Sequence, residues 1–587
     1  MQLTWLDWAV ITGYFLLNIG IGFYYRQRAG KNMDEFFLSG RNVPWWLAGT
    51  SMVATTFAAD TPLAVTGMVA RNGIAGNWLW WNFVAGMMLT VFLYARLWRR
   101  SGVTTDIEFS EIRYAGKPAA FLRGFRALYL SVPINLIVLG WVNLAMKKIL
   151  MTVLGVSEGQ ALWIVFGMMA ITAFISTLSG LWGVLVTDAV QFVIKMGMVI
   201  VLAFSAVHAA GGIDAMKAKL ALLDAARGGQ GSSLSFFPEV GSAWMPMITF
   251  LVYVGMQWWA SWYPGAEPGG GGYVAQRMFC AKDERHSLLA TLWFNIAHFA
   301  IRPWPWILTA LASMVLYPDL VDKESGYVKV MVDHLPPYLR GLMLAAFAAA
   351  YMSTIATQLN WGASYLVNDF YRRFVRTKAS DTHYVMVSQV ATVFLMIASI
   401  FATQMMTSIE GAWKYLLMIG AGTGLVLLLR WYWWRVNAWS EVSAMVIAAV
   451  TSTAFENVYD TNTPLGFAYS MIWTTAITTV GWIAVTLLTA PEPRDVLVSF
   501  YRKTHPSRFG WGPIAALAPE VKGGGTTFDD ILCWLAGCVL IYGCLLGTGK
   551  LLLGDPLLGA GLVGIGLAAG GFIYWNLTKR GWASVVE

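Results

Sequence analysis

Fifteen stretches of about twenty mostly apolar residues follow one another along this 587-residue chain, and no other feature constrains its fold as strongly. They are residues 5–24, 46–70, 77–98, 122–150, 160–180, 182–208, 243–275, 286–316, 340–371, 383–408, 411–434, 439–457, 466–489, 528–548 and 555–577. A helix needs roughly 20 apolar residues to cross the hydrocarbon core of a bilayer. One such run reads equally well as a buried helix of a soluble protein, but fifteen in series do not. The runs are continuous rather than alternating, which excludes a membrane β-barrel. Composition agrees: 57% of the residues are hydrophobic and 12% are charged, against about 25% charged in a soluble domain. The same balance excludes a disordered chain, a secreted disulfide scaffold and a nucleic-acid binder. Of four cysteines, Cys533, Cys538 and Cys544 share one apolar run, and none has metal-site spacing. The N-terminus lacks the basic start of a signal peptide, so the first run reads as a retained helix. The expected fold class is an all-α polytopic membrane protein.

Orientation follows from the connections, because Lys and Arg accumulate on the cytoplasmic side. With the first connection taken as cytoplasmic and the sides alternating, 26 of the 40 basic residues fall on one side and 11 on the other; Arg96, Lys195 and Arg302 lie inside runs. This predicts about fifteen spans with the N-terminus outside and the C-terminus inside, in the cell (cytoplasmic or inner) membrane. Two longer outer loops, 209–242 and 317–339, have room for short helices, and Asp214 to Asp224 reads as amphipathic. The inner loop 490–527 is polar and rich in Pro and Gly.

Two runs contain helix breakers. The second includes Ala54-Thr-Thr-Phe-Ala-Ala-Asp-Thr-Pro-Leu63, where Pro62 removes a helical N–H. The seventh includes Tyr263-Pro-Gly-Ala-Glu-Pro-Gly-Gly-Gly-Gly-Tyr273, which cannot hold a stable helix. Unwound backbone within a membrane survives only where it lines a cavity or is buried in protein, so paired breaks point to a transport site. The plainer reading is that Pro and Gly merely kink these helices. The two broken runs are five apart and cross in opposite directions. Runs 2–6 and 7–11 therefore form two five-helix units of inverted topology, the 5+5 arrangement of the LeuT-type fold. The expected divisions are 1–45 (an extra N-terminal helix and inner loop), 46–208 (first repeat), 209–242 (outer loop), 243–435 (second repeat) and 436–587 (four accessory helices).

Ionisable groups inside spans cost about 2.5–3.5 kcal/mol each and imply a partner or a function. Asp60, Asp188, Lys195, Glu267, His298 and Arg302 are such groups. Lys195 lies two turns after Asp188, which suggests an ion pair. His298 and Arg302 are four apart and share a helix face; a structural role, with Arg302 bonding carbonyls near Pro303, competes with a functional one. The run Ala350-Tyr-Met-Ser-Thr-Ile-Ala-Thr357 carries hydroxyls at helical spacing. That pattern serves close helix packing or the ligation of a small hard cation, and composition favours packing.

The same residues carry a family resemblance. Asp34-Glu-Phe-Phe-Leu-Ser-Gly-Arg41, Gly49-Thr-Ser51, Ala54 to Phe57, Thr187-Asp188 through Gln191, Gln276-Arg277 with Ala281-Lys282, Ala350-x-x-Ser353-Thr354, Asn360 and Asp369-x-Tyr371 occur in order at the appropriate runs. Over roughly residues 5–435 the chain resembles the sodium:solute symporters, the family of the sodium–glucose, sodium–proline and sodium–sialic acid carriers. The resemblance implies a sodium site formed by the carbonyls of Ala54, Phe57 and Ala350 and the hydroxyls of Ser353 and Thr354. It implies that Asp188 helps sodium leave toward the cytoplasm. The substrate region departs from the sugar carriers: Pro264 and Glu267 stand about where those carry an Asn and a gating Tyr, and His298 aligns with a Lys of one of them. Asp60 and Thr61 fall where relatives place substrate-binding side chains. The gating aromatic falls to Trp258, Trp259, Trp262 or Tyr273.

Together these give an expected function: a secondary active transporter that couples inward Na⁺ movement to uptake of a sugar, sugar acid or zwitterion by alternating access. The expected substrate set is Asp60, Thr61, Trp258, Glu267, Tyr273, His298 and Arg302. No cofactor is expected beyond Na⁺ as coupling ion. The expected partners are the solute, Na⁺ and the bilayer, and a monomer satisfies the reading. The rivals are the same carrier driven by H⁺ through Asp60 or Asp188, a sensor or channel on this fold, and a membrane enzyme, which no nucleophile–base pair or metal cluster supports.

Overall fold

A computed structural model describes residues 3–29, 39–103, 105–176, 181–227, 231–239, 241–263, 265–521 and 527–580. Residues 34–38 of the motif before the second run, and Pro264, lie outside these. Among the described residues the secondary structure is helical, with isolated bridges only. In order, the helices are α1 (Trp5–Ala29), α2 (Trp45–Thr56), α3 (Asp60–Asn72), α4 (Ile74–Ser101), α5 (Gly116–Leu154), α6 (Glu158–Ser176) and α7 (Leu181–Ala209). Then come α8 (Ile213–Ala226), α9 (Met247–Ala260), α10 (Gly272–Cys280), α11 (Glu284–Leu316), α12 (Gly326–His334), α13 (Pro337–Val375) and α14 (Asp381–Gln404). The last are α15 (Ile409–Ile419), α16 (Thr423–Tyr432), α17 (Ala438–Glu456), α18 (Pro464–Leu488), α19 (Arg494–Thr504), α20 (Thr527–Leu552) and α21 (Pro556–Lys579).

Ten of these helical stretches are long and apolar enough to cross a membrane, and two bent pairs raise the number to twelve. Three shorter apolar helices, at Trp5–Ile21, Glu158–Ala173 and Met247–Ala260, coincide with the remaining expected runs. The chain is thus an all-helical polytopic membrane protein. Burial separates core from rim: 83% of the apolar window in Ile74–Ser101 is inside the protein, against 17% for Pro556–Lys579. The rim turns large apolar side chains outward, among them Trp163, Phe204, Val480 and Leu488. Such a surface suits lipid, since soluble proteins rarely expose apolar area so widely.

The bent pairs mark where the membrane helices are interrupted. α2 and α3 meet at 60°, and α15 and α16 at 53°. The first break is the one Pro62 predicts. The second was not expected, because 411–434 reads as one uninterrupted run. There Gly422 adopts φ +86 and its N–H donates to the carbonyl of Ala260, which docks this break onto the end of α9. Close contact requires glycine again at Gly424, where a Cβ would stand 2.2 Å from the Trp259 carbonyl oxygen. The seventh run is interrupted between α9 and α10, as its Pro and Gly content requires.

α2 packs on α7 and α11, α3 on α11, and α5 on α13 and α14. The broken helix is therefore enclosed by helices from both halves of the chain. Loop 209–242 carries α8 where the amphipathic stretch was expected, and loop 317–339 carries α12. Before α12, the fully buried carboxylate of Glu324 accepts the backbone N–H groups of Ile409 and Glu410. It also takes the Lys148 ammonium at 2.6 Å. A negative charge at a helix start satisfies unpaired N–H groups and the positive end of the helix dipole.

Candidate functional site

The break between α2 and α3 frees backbone that a continuous helix would pair with itself. Phe57 ends α2 at φ −89, ψ 61, and helix resumes at Asp60. Two cationic side chains reach the end of α2. Arg302, 1% exposed, donates to Thr56 Oγ1 at 3.0 Å and to the Val53 carbonyl at 3.5 Å. Lys195, 4% exposed, donates to the Phe57 carbonyl at 3.1 Å and the Ala54 carbonyl at 3.4 Å. The two expectations for these side chains are corrected. Lys195 does not pair with Asp188, which accepts the Ser51 hydroxyl at 2.6 Å instead, beside Arg277. Arg302 reaches across to α2 rather than to carbonyls near Pro303. Lys195 finds its acceptors on the interrupted helix, and Arg302 divides its donors between that helix and His298 of its own.

His298 sits on a π-helical turn, Ile296–Ile301, that precedes Pro303. Such wide turns recur at functional sites. The turn places the imidazole Nδ1 2.8 Å from Arg302 Nη2. A guanidinium only donates, so the ring nitrogen facing it accepts. The rings of Trp80, Phe294 and Phe299 surround the imidazole.

These groups open onto one cavity. Asp60, Thr61, Tyr273, His298 and Arg302, all anticipated from the sequence, line it, as does Thr354. Its volume is about 80 Å³, below that of most small-molecule sites. Asp60 is 4% exposed, and its Oδ1 has no hydrogen-bond partner. An unpaired buried carboxylate oxygen is costly, so this atom is a ready acceptor for a hydroxyl or ammonium donor. Thr354 and Thr357 turn their hydroxyl hydrogens back to the carbonyls of Ala350 and Ser353. Their oxygen lone pairs remain available.

Two expected substrate residues lie elsewhere. Glu267 folds back within the second break, where it accepts the Gly265 N–H at 3.0 Å. Trp258 donates to the Val254 carbonyl and packs against Trp534 of α20. Neither lines the cavity. The aromatic wall comes instead from Tyr263, Trp80, Trp141, Phe83 and Trp413. Tyr263 is the centre of that wall: its ring lies 5.8 Å from Phe83 and 6.3 Å from Trp141, both stacked, and 5.6 Å edge-on from Trp413. Trp262, one residue earlier, faces a separate cavity with Arg126 and Glu441. The signal for Tyr263 was its place at the very start of the second break. At that break Gly265 has φ +85 and lies so close to Tyr273 that a Cβ would meet its hydroxyl at 2.0 Å.

Of the residues assigned to sodium by resemblance, Phe57 and Ala350 line a second, small cavity together with Lys195. Ala54 shares the lysine with Phe57, and Thr354 faces the larger cavity. Ser353 is half-buried and lines neither.

The profile of the Sodium:solute symporter family matches residues 36–448. The chain belongs to the sodium:solute symporter family. Its members are transporters rather than enzymes, and sodium is their coupling ion. The chain is similar to a sodium/glucose cotransporter of Vibrio parahaemolyticus, 24% identical over 85% of this chain and 93% of the relative. It is similar to a sodium/mannose cotransporter of Bos taurus, 24% identical over 76% and 79%. Among solved structures, a Na⁺-coupled sialic acid symporter in a substrate-bound outward-open state superposes with a TM-score of 0.62 at 20% identity, covering 84% of this chain and 99% of that one. The symporter's fold is therefore the fold of this chain.

Proposed function

We propose that the chain is a secondary active transporter that uses the inward movement of Na⁺ to take up a small polar organic solute, a sugar, sugar acid or zwitterion. The observation that carries this reading is the cavity at the α2–α3 break. It sets an unpaired carboxylate oxygen on Asp60 and a guanidinium on Arg302 against a wall of aromatic rings. Hydroxyls and a charged end suit the polar groups, and ring faces suit the apolar face of a sugar ring. Relatives named for glucose and mannose transport point the same way.

In this reading, residues 46–208 and 243–435 are two inverted repeats, flanked by α1 and the C-terminal helices. The fifteen runs all span the cell membrane, with the N-terminus outside, as the bias of 26 basic residues against 11 suggests. The family pattern puts sodium on the carbonyls of Ala54, Phe57 and Ala350 and the hydroxyls of Ser353 and Thr354, with an exit past Asp188, in a state in which Lys195 has left the two carbonyls it holds. Solute binds beside Asp60, Thr61, Tyr273, His298 and Arg302. One charge crossing 100 mV contributes about 2.3 kcal/mol, enough for roughly 50-fold accumulation per ion. A second reading, coupling to H⁺, is favoured by one observation, the Lys195 ammonium on two of the proposed sodium ligands.

The test is solute uptake into proteoliposomes across a panel of sugars, sugar acids and amino acids. An imposed inward Na⁺ gradient should drive concentrative uptake of at least one of them. Uptake that ignores Na⁺ and collapses with the pH gradient would favour the second reading, and no concentrative uptake under either gradient would sink the carrier.

A further inference from the structure

Lys195 is the one lysine buried at the heart of the bundle beside the break; like the buried Arg113, Arg277 and Arg302 it meets no carboxylate among the described residues, and in this it differs from the other buried lysines. Lys147 and Lys148 each meet a carboxylate within 4 Å, as do Arg126, Arg340 and Arg430. Among the described residues, Lys195 meets none. Its ammonium has the carbonyl oxygens of Phe57 and Ala54 and the face of the Phe57 ring, 5.5 Å away. The rest of the small cavity around it is apolar: Val199 of its own helix, and Met343, Ala346, Phe347 and Ala350 of α13. The charged groups nearby are Asp188 on its own helix, engaged with Ser51, and Arg302 on α11, which is of like charge and also covers the Phe57 ring.

A cation compensated by carbonyl oxygens at the end of an unwound helix is what a sodium ion would be at the same place. The two carbonyls that hold Lys195 are two of the three that the family pattern assigns to sodium, and the third belongs to Ala350, which lines the same small cavity. We propose that the ammonium of Lys195 is a built-in cation at the break of the second span, standing where sodium stands in the family and excluding Na⁺ from that position while it is there. Two unit charges within a few ångström of each other repel strongly in a poorly screened interior. The carbonyls therefore serve the lysine or the ion, and never both. The tethered ammonium pins α2 against α7 without drawing on the external Na⁺ concentration. Sodium coupling, where the carrier shows it, then runs through a different site or through a state in which Lys195 has left the break.

The inference rests on the carrier reading only for the identity of the site, and its test needs no solute. The melting temperature of the purified, detergent-solubilised protein is measured in NaCl and in choline chloride at equal ionic strength near pH 7. A ligand that binds only the folded protein raises the melting temperature. Wild type should show no Na⁺ response that depends on Ser353 and Thr354. Lys195→Met should gain one, a rise of about 3 °C or more, and the further substitutions Ser353→Ala and Thr354→Ala should abolish it. Lys195→Gln, which keeps an N–H donor for the carbonyls without the charge, serves if the Met variant does not fold. The proposal is overturned if the wild-type protein already responds to Na⁺ and Ser353→Ala/Thr354→Ala removes that response. It is equally overturned if the neutral variants gain no response. Failure of uptake under every gradient would count against the carrier and leave these outcomes as they stand.

Discussion

The chain is unwound on both sides of one cavity, and the two breaks are held by opposite means. Between α2 and α3 the end of α2 is held by charge brought from other helices: Lys195 of α7 on the carbonyls of Ala54 and Phe57, Arg302 of α11 on the Val53 carbonyl and the Thr56 hydroxyl. Between α9 and α10 it is held by shape. Gly265, Gly269 and Gly270 adopt positive φ, and Glu267 folds onto Gly265. The indole of Trp98 donates to the Gly269 carbonyl, and the Ser261 hydroxyl donates to that of Leu417. A break held by charge can answer to an ion, whereas one held by glycines answers to steric fit. In the proposed reading, cation handling falls to the first break and the contour of the cavity to the second.

The largest effect should come from attacking shape. Gly424→Ala puts a methyl group 2.2 Å from the Trp259 carbonyl, where backbone must give way. Overpacking of this kind costs on the order of 3 kcal/mol, read as a marked drop in melting temperature that no solute or salt restores. Next, Arg302→Met attacks charge. It takes one of several partners from the Val53 carbonyl and from Thr56 Oγ1 and removes the cation facing Asp60. Solute affinity should fall about 30-fold, or about 2 kcal/mol, measured by binding to a protein that still folds. If Arg302→Met instead leaves affinity intact and only lowers the melting temperature, the guanidinium is a brace and not part of the solute site. Asp60→Asn keeps size and removes charge; about tenfold weaker binding is expected with no change in melting temperature. The smallest effect belongs to Tyr263→Phe, which keeps the stacked ring and should stay within about 0.5 kcal/mol of wild type in both stability and solute affinity. A large loss there would mean that the hydroxyl itself touches the solute and would move solute recognition toward the glycine-held break.

Much of the fold could be read from the chain because a membrane helix needs only length and apolarity. Each of the fifteen runs contains helix among the described residues. The α15–α16 break escaped because Gly420-Ala-Gly-Thr-Gly424 contains no proline and is flanked by strongly apolar halves. In the site, Asp60, His298 and Arg302 were legible as ionisable groups with no reason to be in a membrane, Thr61 through the family resemblance and Tyr273 as a candidate gating aromatic. Glu267 was equally conspicuous yet turns away from the cavity, since helical spacing says nothing about direction within an unwound segment. Lys195 was misread for a related reason. Spacing along α7 suggested Asp188, but the interrupted α2 supplies acceptors that only the tertiary arrangement brings near. Tyr263, Trp80, Trp141 and Trp413 were hidden among 30 tryptophans and 23 tyrosines, many of them suited to the membrane interface.

Glu324 has a mechanical consequence. Its carboxylate is fastened at once to the first backbone N–H groups of α15 and to the ammonium of Lys148 on α5. The 317–339 loop is therefore stitched to the helix that leads into the third break, and any tilt of α15 drags the loop with it. Val321, three residues away and 97% exposed, rides on that stitch. A fluorophore at this position would act as a pointer on a lever, displaying from the water side the displacement of a helix that rests against Tyr263 through Trp413, one turn from its start.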